Sequence, residues 1–333
     1  MRRVAAPMAA IPAGAAVIGS PEAHLDAVAA AQHYPRTWFE DEAPQHRVSV
    51  DGFRIDRHPV TNAAFDAFAA ATGYLTLAER RGFGLVYGDS YWQERPGACW
   101  RHPGGPDDSI DGRMNHPVVH VSHADALAFA AWADKRLPTE AEWEHAAHGQ
   151  AWRCWPWGNH WDPRKANSAE LWAGQPIAGF AAWRTWWGTR RARNHDTPAT
   201  TPAGSFSPDG DSPWGVADMA GNVAEWTATT YQPYDPSRRY DPVYAAAAGR
   251  YVVVRGGSWM NFRYQLRTSE RIACDPSYEN FATGFRCAAD LDRAADLGRA
   301  AGLGRTVGLD RAAGLRRADD DTPPGGDYQT DAA

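Results

Sequence analysis

Residues that can do chemistry are concentrated between positions 255 and 287 of the chain. The segment begins with an arginine, a glycine pair and Ser258, and it ends with the sequence GFRC. Just before it, the short β-branched run YVVVR at residues 251–255 predicts a buried strand closed by glycines. The segment is either a structural strand–loop–strand unit or the floor of a site. Its arginines lie beside aromatic residues, which favours planar, fully bonded guanidinium contacts; they are Arg255, Arg263, Arg267, Arg271 and Arg286.

A second group of polar residues lies within the sequence DMAGNVAE, residues 218–225. The carboxylates of Asp218 and Glu225, with the carbonyls of Gly221 and Val223, can surround a hard cation such as calcium, which binds six to eight oxygen ligands. The alternative is an ordinary Asx turn with Glu225 in a buried salt bridge. Spacing alone favours this alternative.

Histidine and cysteine give weaker signals. The histidines form two groups, His116, His120 and His123, and His145 and His148. Even spacing predicts that His116 and His120 share one face of a strand, and structural roles are favoured over a metal site. Cysteine occurs four times, at Cys99, Cys154, Cys274 and Cys287, without a zinc-type or CxxC spacing. Free thiols in a reducing compartment, the cytoplasm, are therefore expected.

Composition narrows the class of protein. Of the 333 residues 44% are apolar, enough for a large core, and 16 Trp and 12 Tyr predict an irregular, loop-rich fold pinned by aromatic side chains. The net charge of −6 argues against a nucleic-acid partner. No run approaches the roughly 20 apolar residues that a membrane span needs. The N-terminal apolar run resembles a signal peptide faintly, but Pro7, Pro12 and Gly14 interrupt it, so residues 10–19 are interpreted as a first strand and turn.

Local patterns then predict the elements that position these residues. Residues 46–61 alternate around Asp51-Gly52, which predicts a hairpin. Three helices are predicted by their caps, after Thr61, Ser122 and Thr139, the last two with capping boxes. Residues 21–45, 160–200 and 228–250 are predicted as loops, and residues 80–115 as a long ordered loop. From residue 291 onward the leucines recur every six residues and scatter over three helix faces, so residues 291–333 are predicted to be a low-complexity, disordered tail.

The ordered motifs resemble one family. IPAG, HRVSVDGFRIDRHPVTN, HPVVHVSHADALAFAAWADKRLPTEAEWEHAAHG, WPWGN, GVADMAGNVAEW, VVRGGSWM and GFRC occur in this order. Together they resemble the sulfatase-modifying factor family of formylglycine-generating enzymes over about residues 10–290, and the domain is expected to span residues 1–290. The resemblance implies a single α+β domain related to C-type lectins, with short sheets and a few helices. It also implies structural calcium at Asp218, Gly221, Val223 and Glu225, and a second calcium site that begins at Asn167 and Ser168 and continues near Asp196 and Pro198.

The chain departs from the family where its chemistry would lie. In formylglycine-generating enzymes two cysteines bind copper(I) and activate oxygen, and this chain has Asn261 and Leu266 at those positions. Copper(I) prefers thiolate ligands, which neither residue supplies. Ala224 replaces the family's usual aromatic residue, while Ser258 remains. The family's structural cysteines are replaced by Ala130, Ala147 and Arg271, and only Cys287 persists. Cys274, the other thiol of the segment, is expected to be packed unless the loop folds back to the site.

These differences lead to three hypotheses about the function. The leading hypothesis is an oxygen-dependent oxidoreductase that acts on a peptide or small molecule with another metal, copper or iron, near Ser258 and Asn261. The alternative is a non-catalytic binding module on the same scaffold, since fold does not fix function. Formylglycine generation by an altered site is the third. The sequence does not name the substrate or the oligomeric state.

Overall fold

The structure is a computed structural model that describes residues 6–88, 91–191 and 199–291. The predicted tail, residues 291–333, lies outside the described residues except for Leu291, and residues 1–290 form one compact unit. The helices are α1 (Glu22–Gln32), α2 (Asn62–Thr72), α3 (Leu77–Arg81), α4 (His123–Trp132), α5 (Glu140–His148), α6 (Ala169–Ala173), α7 (Phe180–Arg191) and α8 (Pro242–Ala247). Short 3₁₀ helices occupy Arg36–Glu42, Pro163–Lys165 and Arg263–Gln265.

The strands are short, as the turn-rich sequence predicts. They are β1 (Met8–Ile11), β2 (Gly14–Ile18), β3 (His46–Val50), β4 (Phe53–Asp56), β5 (Phe83–Tyr87), β6 (Trp92–Pro96), β7 (Ala224–Thr230), β8 (Val252–Arg255), β9 (Arg271–Cys274), β10 (Thr283–Phe285) and β11 (Ala288–Asp290). The sheet that carries the candidate site has the order β10-β7-β8-β9, with β10 parallel to β7 and the other pairs antiparallel. This mixture of helices and small sheets confirms the α+β prediction.

Two apolar clusters support that sheet. The first joins α2 and α4 to the sheet through packed aromatic rings, with Phe65 stacked on Phe129 and edge-on to Trp100. The second packs Trp143 of α5 against β1 and β4. Aromatic pairs of this kind each add about 0.5–1.5 kcal/mol beyond the area they bury. The core therefore consists largely of rings that tie irregular segments to short strands.

The capped helices occur as predicted. Thr61, Ser122 and Thr139 each accept a hydrogen bond from the backbone at the third helical residue, and the last two form full capping boxes. The chain also forms helices where loops were predicted. α1 lies within residues 21–45, α6 and α7 within 160–200, and α8 within 228–250. The predicted loop 80–115 contains the hairpin β5–β6.

The predicted hairpin over residues 46–61 is wrong. Both strands form, but β3 pairs with β2, whereas β4 pairs with β1 and β11. The single strand predicted over residues 10–19 is likewise two strands, β1 and β2, which enter different sheets. In both cases the sequence correctly indicated a turn but not which strands would pair. Strand pairing depends on residues far away in the chain. Among the residues described, every helix is too short or too polar to cross a lipid bilayer.

Candidate functional site

Strand β8 and the glycines that follow it place Ser258 at the site. Gly256 and Gly257 have φ of 85° and 61°, in the left-handed region that favours glycine. A Cβ at Gly256 would lie 2.9 Å from Trp143, and one at Gly257 would lie 2.5 Å from the carbonyl oxygen of Gln265. Both positions therefore need glycine for conformation and for space, and together they turn the chain sharply out of the sheet.

The turn closes on a small hydrogen-bonded frame. Asn261 Oδ1 accepts hydrogen bonds from the backbone N–H of Ser258 at 2.8 Å and from its hydroxyl at 2.9 Å. Asn261 Nδ2 donates to Gln265 Oε1 at 3.0 Å. Ser258 is 4% exposed. The amide at the first copper-cysteine position thus closes the turn instead of presenting a soft metal ligand.

Leu266, at the second copper-cysteine position, has different surroundings. Its side chain is fully buried and packs with Cys154, Trp155 and Ala220. It is not among the residues that line the cavity beside Asn261. The two positions that would form a thiolate pair therefore carry a hydrogen-bonding amide and an apolar core residue.

A cavity of about 270 Å³ opens over this frame. Ser258, Asn261, Gln265, Asn280 and Thr283 are among its polar lining residues. Its aromatic walls come from the β5–β6 hairpin, α7 and the segment after β9, namely Tyr87, Trp92, Phe180, Trp183 and Tyr278. Tyr87 contacts both Trp92 and Trp183 edge-on, with ring centroids 5.4 and 5.1 Å apart. The rings thus form one continuous wall.

Several residues that line the cavity beside Val254 and Ile272 of the sheet are small. Ala224 of β7, Ala282 and Thr283 line the cavity between the rings. Ala224 is the position where the family resemblance expects an aromatic side chain. An alanine there leaves unfilled the volume that a ring would take, so this substitution helps to define the cavity.

Cys274 also lines the cavity, so the chain after β8 does return to the frame of Ser258 and Asn261. Burial raises the pKa of its thiol to about 12. The thiol is therefore protonated near neutral pH, and only thiolates act as good nucleophiles or copper ligands. All four cysteines are free thiols, as predicted.

A redox metal does not fit the described residues of this site. Copper(I) chemistry needs thiolates, and the lining offers one protonated thiol beside amides and a hydroxyl. Within residues 6–88, 91–191 and 199–291, no three His, Cys, Asp or Glu side chains group in a way that could hold a metal ion. No reaction step is derived through such a metal.

The predicted calcium loop contains a buried salt bridge at Glu225, as the alternative interpretation of this sequence expected. Glu225 is fully buried, accepts two hydrogen bonds from Arg286 at 2.6 and 2.7 Å, and accepts a third from Trp143 Nε1 at 2.8 Å. Asp218 is 8% exposed, and burial raises its pKa to about 6 although Gly204 donates a hydrogen bond to it. Arg286 thus bonds the carboxylate of Glu225 but only the backbone carbonyl of Asp218, at 3.3 Å, and an ionised Asp218 carboxylate suits a hard cation.

Calcium therefore stays a prediction for this loop. Asp218 and the carbonyls of Gly221 and Val223 would hold the ion beside the Glu225–Arg286 pair, where it would stabilise the turn. Gly221 needs its left-handed conformation there, with φ of 83°, because a Cβ would lie 2.2 Å from the carbonyl oxygen of Asn167. The role would be structural, since neither Gly221 nor Val223 lines the aromatic cavity.

The second predicted calcium site is described only in part. Asn167 is fully buried, and its amide bonds Trp172, Ala199 and Asn222. The Ser168 hydroxyl caps α6. Both side chains thus have protein partners. The other predicted ligands, near Asp196 and Pro198, lie outside the described residues.

Buried arginines hold the site in place. Arg255 donates to Glu144 at 2.5 Å, Arg271 donates to Glu140 at 2.7 and 2.8 Å, and Arg267 donates twice to Glu42 at 2.6 Å. All three guanidinium groups are at most 5% exposed. The sequence predicted that the guanidinium groups of this segment would be hydrogen-bonded. It did not predict their carboxylate partners, which come from α5 and the 3₁₀ helix more than 100 positions earlier.

The histidines make structural contacts, as predicted. His120 is fully buried between Glu279 Oε2 and the carbonyl oxygen of Pro103, each at 2.8 Å. His148 bonds the carbonyl of Val17, and burial lowers its pKa to about 4. The prediction of a strand through His116 and His120 is wrong, since residues 116–121 form no ladder and His120 has φ of 55°.

The fold and the site define a formylglycine-generating-enzyme scaffold with a glycine turn at Ser258 and no thiolate pair at positions 261 and 266. Comparison with known proteins agrees. The chain belongs to the family described by the sulfatase-modifying factor enzyme 1-like domain, whose model matches residues 2–291.

Relatives within this family differ in activity. The formylglycine-generating enzyme of Mus musculus is 35% identical over 305 residues, covering 85% of this chain and 75% of the relative. That of Thermomonospora curvata is 36% identical, covering 87% and 95%. A Mus musculus protein named inactive C-alpha-formylglycine-generating enzyme 2 is 34% identical, covering 76% and 80%. Overall similarity therefore does not decide between catalysis and its absence.

Solved structures support the fold. PvdO from Pseudomonas aeruginosa matches with a TM-score of 0.52 at 26% identity, covering 85% of this chain and 94% of PvdO. Treponema denticola variable protein 1 matches with a TM-score of 0.53 at 18% identity, covering 85% and 95%, a likeness of fold alone. The predicted fold and family are thus confirmed.

Proposed function

We propose that this protein is a ligand-binding member of the formylglycine-generating enzyme family, without the two-cysteine copper chemistry. Its ligand is a peptide or small molecule that places an aromatic group in the cavity over Ser258 and Asn261. The observation that carries the proposal is the cavity itself, which combines a wall of aromatic rings with a floor of amide and hydroxyl groups. Pockets of this composition are typical binding sites.

The composition of the cavity favours an aromatic occupant. Edge-to-face contacts with Tyr87, Trp92 and Trp183 suit a flat ring, and Ala224 leaves space for it. Burying one aromatic side chain contributes about 1.5–3 kcal/mol, which is about 10- to 100-fold in affinity. The polar groups of Asn261 and Gln265 can then orient the ligand through its amide or hydroxyl groups.

Oxidation of a substrate by oxygen, the leading hypothesis from the sequence, has less support. It needs a metal or an activated thiol, and the described lining supplies a protonated Cys274 and no metal-binding group of side chains. Formylglycine generation needs both thiolates, at positions where this chain has Asn261 and Leu266.

The test is to fill the cavity. N-acetyltyrosinamide is expected to bind the full chain in isothermal titration calorimetry, at least tenfold more tightly than N-acetylalaninamide. Ala224→Trp should abolish this difference because the new ring takes the place of the ligand. Ala228→Trp is the matched control on the same strand, since Ala228 is exposed and lies outside the cavity.

Two results would overturn the proposal. One is equal binding of the two amides, or binding that Ala224→Trp leaves unchanged. The other is turnover. Oxygen consumption, or a mass change in a peptide with the Cys-x-Pro-x-Arg motif after incubation with copper(I), would instead support an enzyme.

A further inference from the structure

A second cavity, of about 320 Å³, lies close to the aromatic cavity, and none of the described residues lines both. The two cavities use alternate residues of the same segments. Ser258 and Met260 line the first, and Trp259 between them lines the second. Ala282 lines the first, and its neighbour Phe281 lines the second. The two cavities therefore lie on different sides of these segments.

The walls of the second cavity are largely apolar. The loop that follows the β5–β6 hairpin supplies Pro103, Ile110, Pro117 and Val119, and Phe281 supplies a ring. Ligand sites in proteins have volumes of about 300–1,000 Å³, so this cavity suits a small molecule.

Asn62 brings an unused hydrogen-bond acceptor to the cavity. It is the first residue of α2, it lines the cavity, and it is 3% exposed. Its Nδ2 donates to the carbonyl oxygen of Arg113 at 2.9 Å, but its buried Oδ1 has no hydrogen-bond partner in the part of the chain that the structure describes. Buried polar atoms are nearly always hydrogen-bonded, so this oxygen indicates a donor from a bound molecule.

Trp259 brings an unused donor. It also lines the cavity, it is 2% exposed, and its ring packs edge-on against Phe281 with centroids 5.2 Å apart. Its Nε1–H finds no acceptor among the described residues. By contrast, the buried Trp183 donates its Nε1–H to the carbonyl oxygen of Met260 at 2.6 Å. One cavity thus contains an unpartnered acceptor and an unpartnered donor, from segments almost 200 positions apart.

The charged and titratable groups at this cavity are already paired. Arg113 forms an ion pair with Asp108, whose other carboxylate oxygen accepts from the Gly104 N–H at 2.8 Å. The Thr200 hydroxyl bonds Nδ1 of His116 at 3.0 Å, and burial lowers the pKa of His116, so this imidazole is neutral near neutral pH. A neutral ligand therefore suits the cavity better than an ion.

We propose that the second cavity binds the carboxamide group of a small neutral molecule with an apolar body. An amide N–H of the ligand donates to Asn62 Oδ1, and its carbonyl oxygen accepts from Trp259 Nε1–H. A carboxamide suits the pair because it carries donors and an acceptor without a charge. The inference does not depend on the proposed function, since this site has its own polar groups and its own walls.

The experiment compares two nearly isosteric probes by isothermal titration calorimetry with the full chain. Benzamide is expected to bind at least tenfold more tightly than acetophenone, in which a methyl group replaces the amide NH₂ and leaves Asn62 Oδ1 without a donor. A spectrum of protein that contains isotope-labelled tryptophan adds a direct observation. The indole N–H signal that Trp259→Phe removes should shift when benzamide binds.

Two variants separate the two hydrogen bonds. Asn62→Leu should reduce the affinity for benzamide about tenfold and leave that for acetophenone unchanged, so that the preference disappears. Trp259→Phe should weaken both probes about tenfold, because the carbonyl of each accepts from the indole. Trp157→Phe is the matched control, since its indole N–H donates to the carbonyl oxygen of His160 and it lies outside the cavity.

Ala224→Trp distinguishes this site from the aromatic cavity, because it fills the first cavity and should leave benzamide bound. Loss of benzamide binding in a folded Ala224→Trp overturns the inference, as does equal affinity of the two probes or an unchanged preference in Asn62→Leu. If Asn62→Leu fails to fold, Trp259→Phe and the indole signal decide the question. Binding of neither probe also overturns it, since water would then satisfy the two atoms.

Discussion

Ser258 donates both its backbone N–H and its hydroxyl to the same atom, Asn261 Oδ1, at 2.8 and 2.9 Å. The family resemblance expects a copper-binding cysteine at position 261. A thiol is a much weaker hydrogen-bond acceptor than an amide oxygen. Asn261 therefore closes the turn through two hydrogen bonds, at a position where the family resemblance expects a metal ligand. Asparagine at position 261 thus both lacks the thiol that copper would need and supplies the acceptor that closes the turn.

Asn261→Ala should destabilise the protein by about 1–3 kcal/mol, because the buried N–H of Ser258 loses its acceptor. Asn261→Asp keeps the acceptor oxygen and should cost less. Urea unfolding of both variants measures the difference. Equal stability of Asn261→Ala and the unchanged protein would show that the closure contributes nothing.

Thiol accessibility tests the different surroundings of the two former cysteine positions. Asn261→Cys should react readily with an aromatic disulfide reagent, since residue 261 lines the cavity. Leu266→Cys should react only on unfolding, because Leu266 is fully buried in the cluster with Trp155. Cys274 gives a slow background, as its pKa of about 12 leaves little thiolate.

Fast labelling of Leu266→Cys under native conditions would contradict this arrangement. The unchanged protein is the control, since its four free thiols set the baseline rate. Comparable rates for the two variants would mean that both positions face the cavity, as a copper site would need.

Side-chain caps led to the prediction of three longer helices but did not reveal the short helices α3, α6 and α8, which were missed although Thr76, Ser168 and Asp241 cap them. Helices α2, α4 and α5 were predicted because a Ser or Thr side chain caps each one. Helix α1 follows Pro21 and has no side-chain cap, and α7 was missed although Trp183, Trp186 and Trp187 are spaced three and four apart, as on one helix face.

Long-range pairing limited the prediction of the site. Arg267 meets Glu42 across 225 positions, and no local pattern indicates that partner. The loss of the copper ligands at positions 261 and 266 was visible in the sequence, because ordered motifs fix those positions.

Buried carboxyls should make stability depend on pH. Burial raises the pKa of Asp41 to about 7, with Glu42 adding to the rise and Arg271 opposing it. A carboxyl with a raised pKa retains its proton in the folded state. Its stabilisation is therefore complete below the unfolded pKa of about 4, and it is lost as the pH rises towards about 7. Asp41→Asn removes this loss, so the variant should gain about 2 kcal/mol over the unchanged protein between about pH 5 and about pH 8.

Urea unfolding at both pH values measures that gain. His24 and His148, whose pKa values burial lowers to about 4, act in the opposite direction, but they are present in both proteins and cancel in the comparison. A constant difference for Asp41→Asn would mean that Arg271 keeps Asp41 ionised throughout.

Calcium should stabilise the loop that contains Asp218. At a concentration one hundred times its dissociation constant, a ligand that binds only the folded state adds about 2.7 kcal/mol, which corresponds to a rise of about 5 °C in melting temperature. Asp218→Asn should remove most of this rise, because the buried carboxylate that lacks a full countercharge is lost.

Differential scanning calorimetry with calcium and with a chelator measures the shift. Asp107→Asn is the matched control, an exposed aspartate outside the loop whose replacement should leave the shift unchanged. If calcium does not alter the melting temperature of the unchanged protein, then Arg286 and the hydrogen bond from Gly204 satisfy the two carboxylates without an ion. The loop would then be the Asx turn and buried salt bridge that the sequence also allowed.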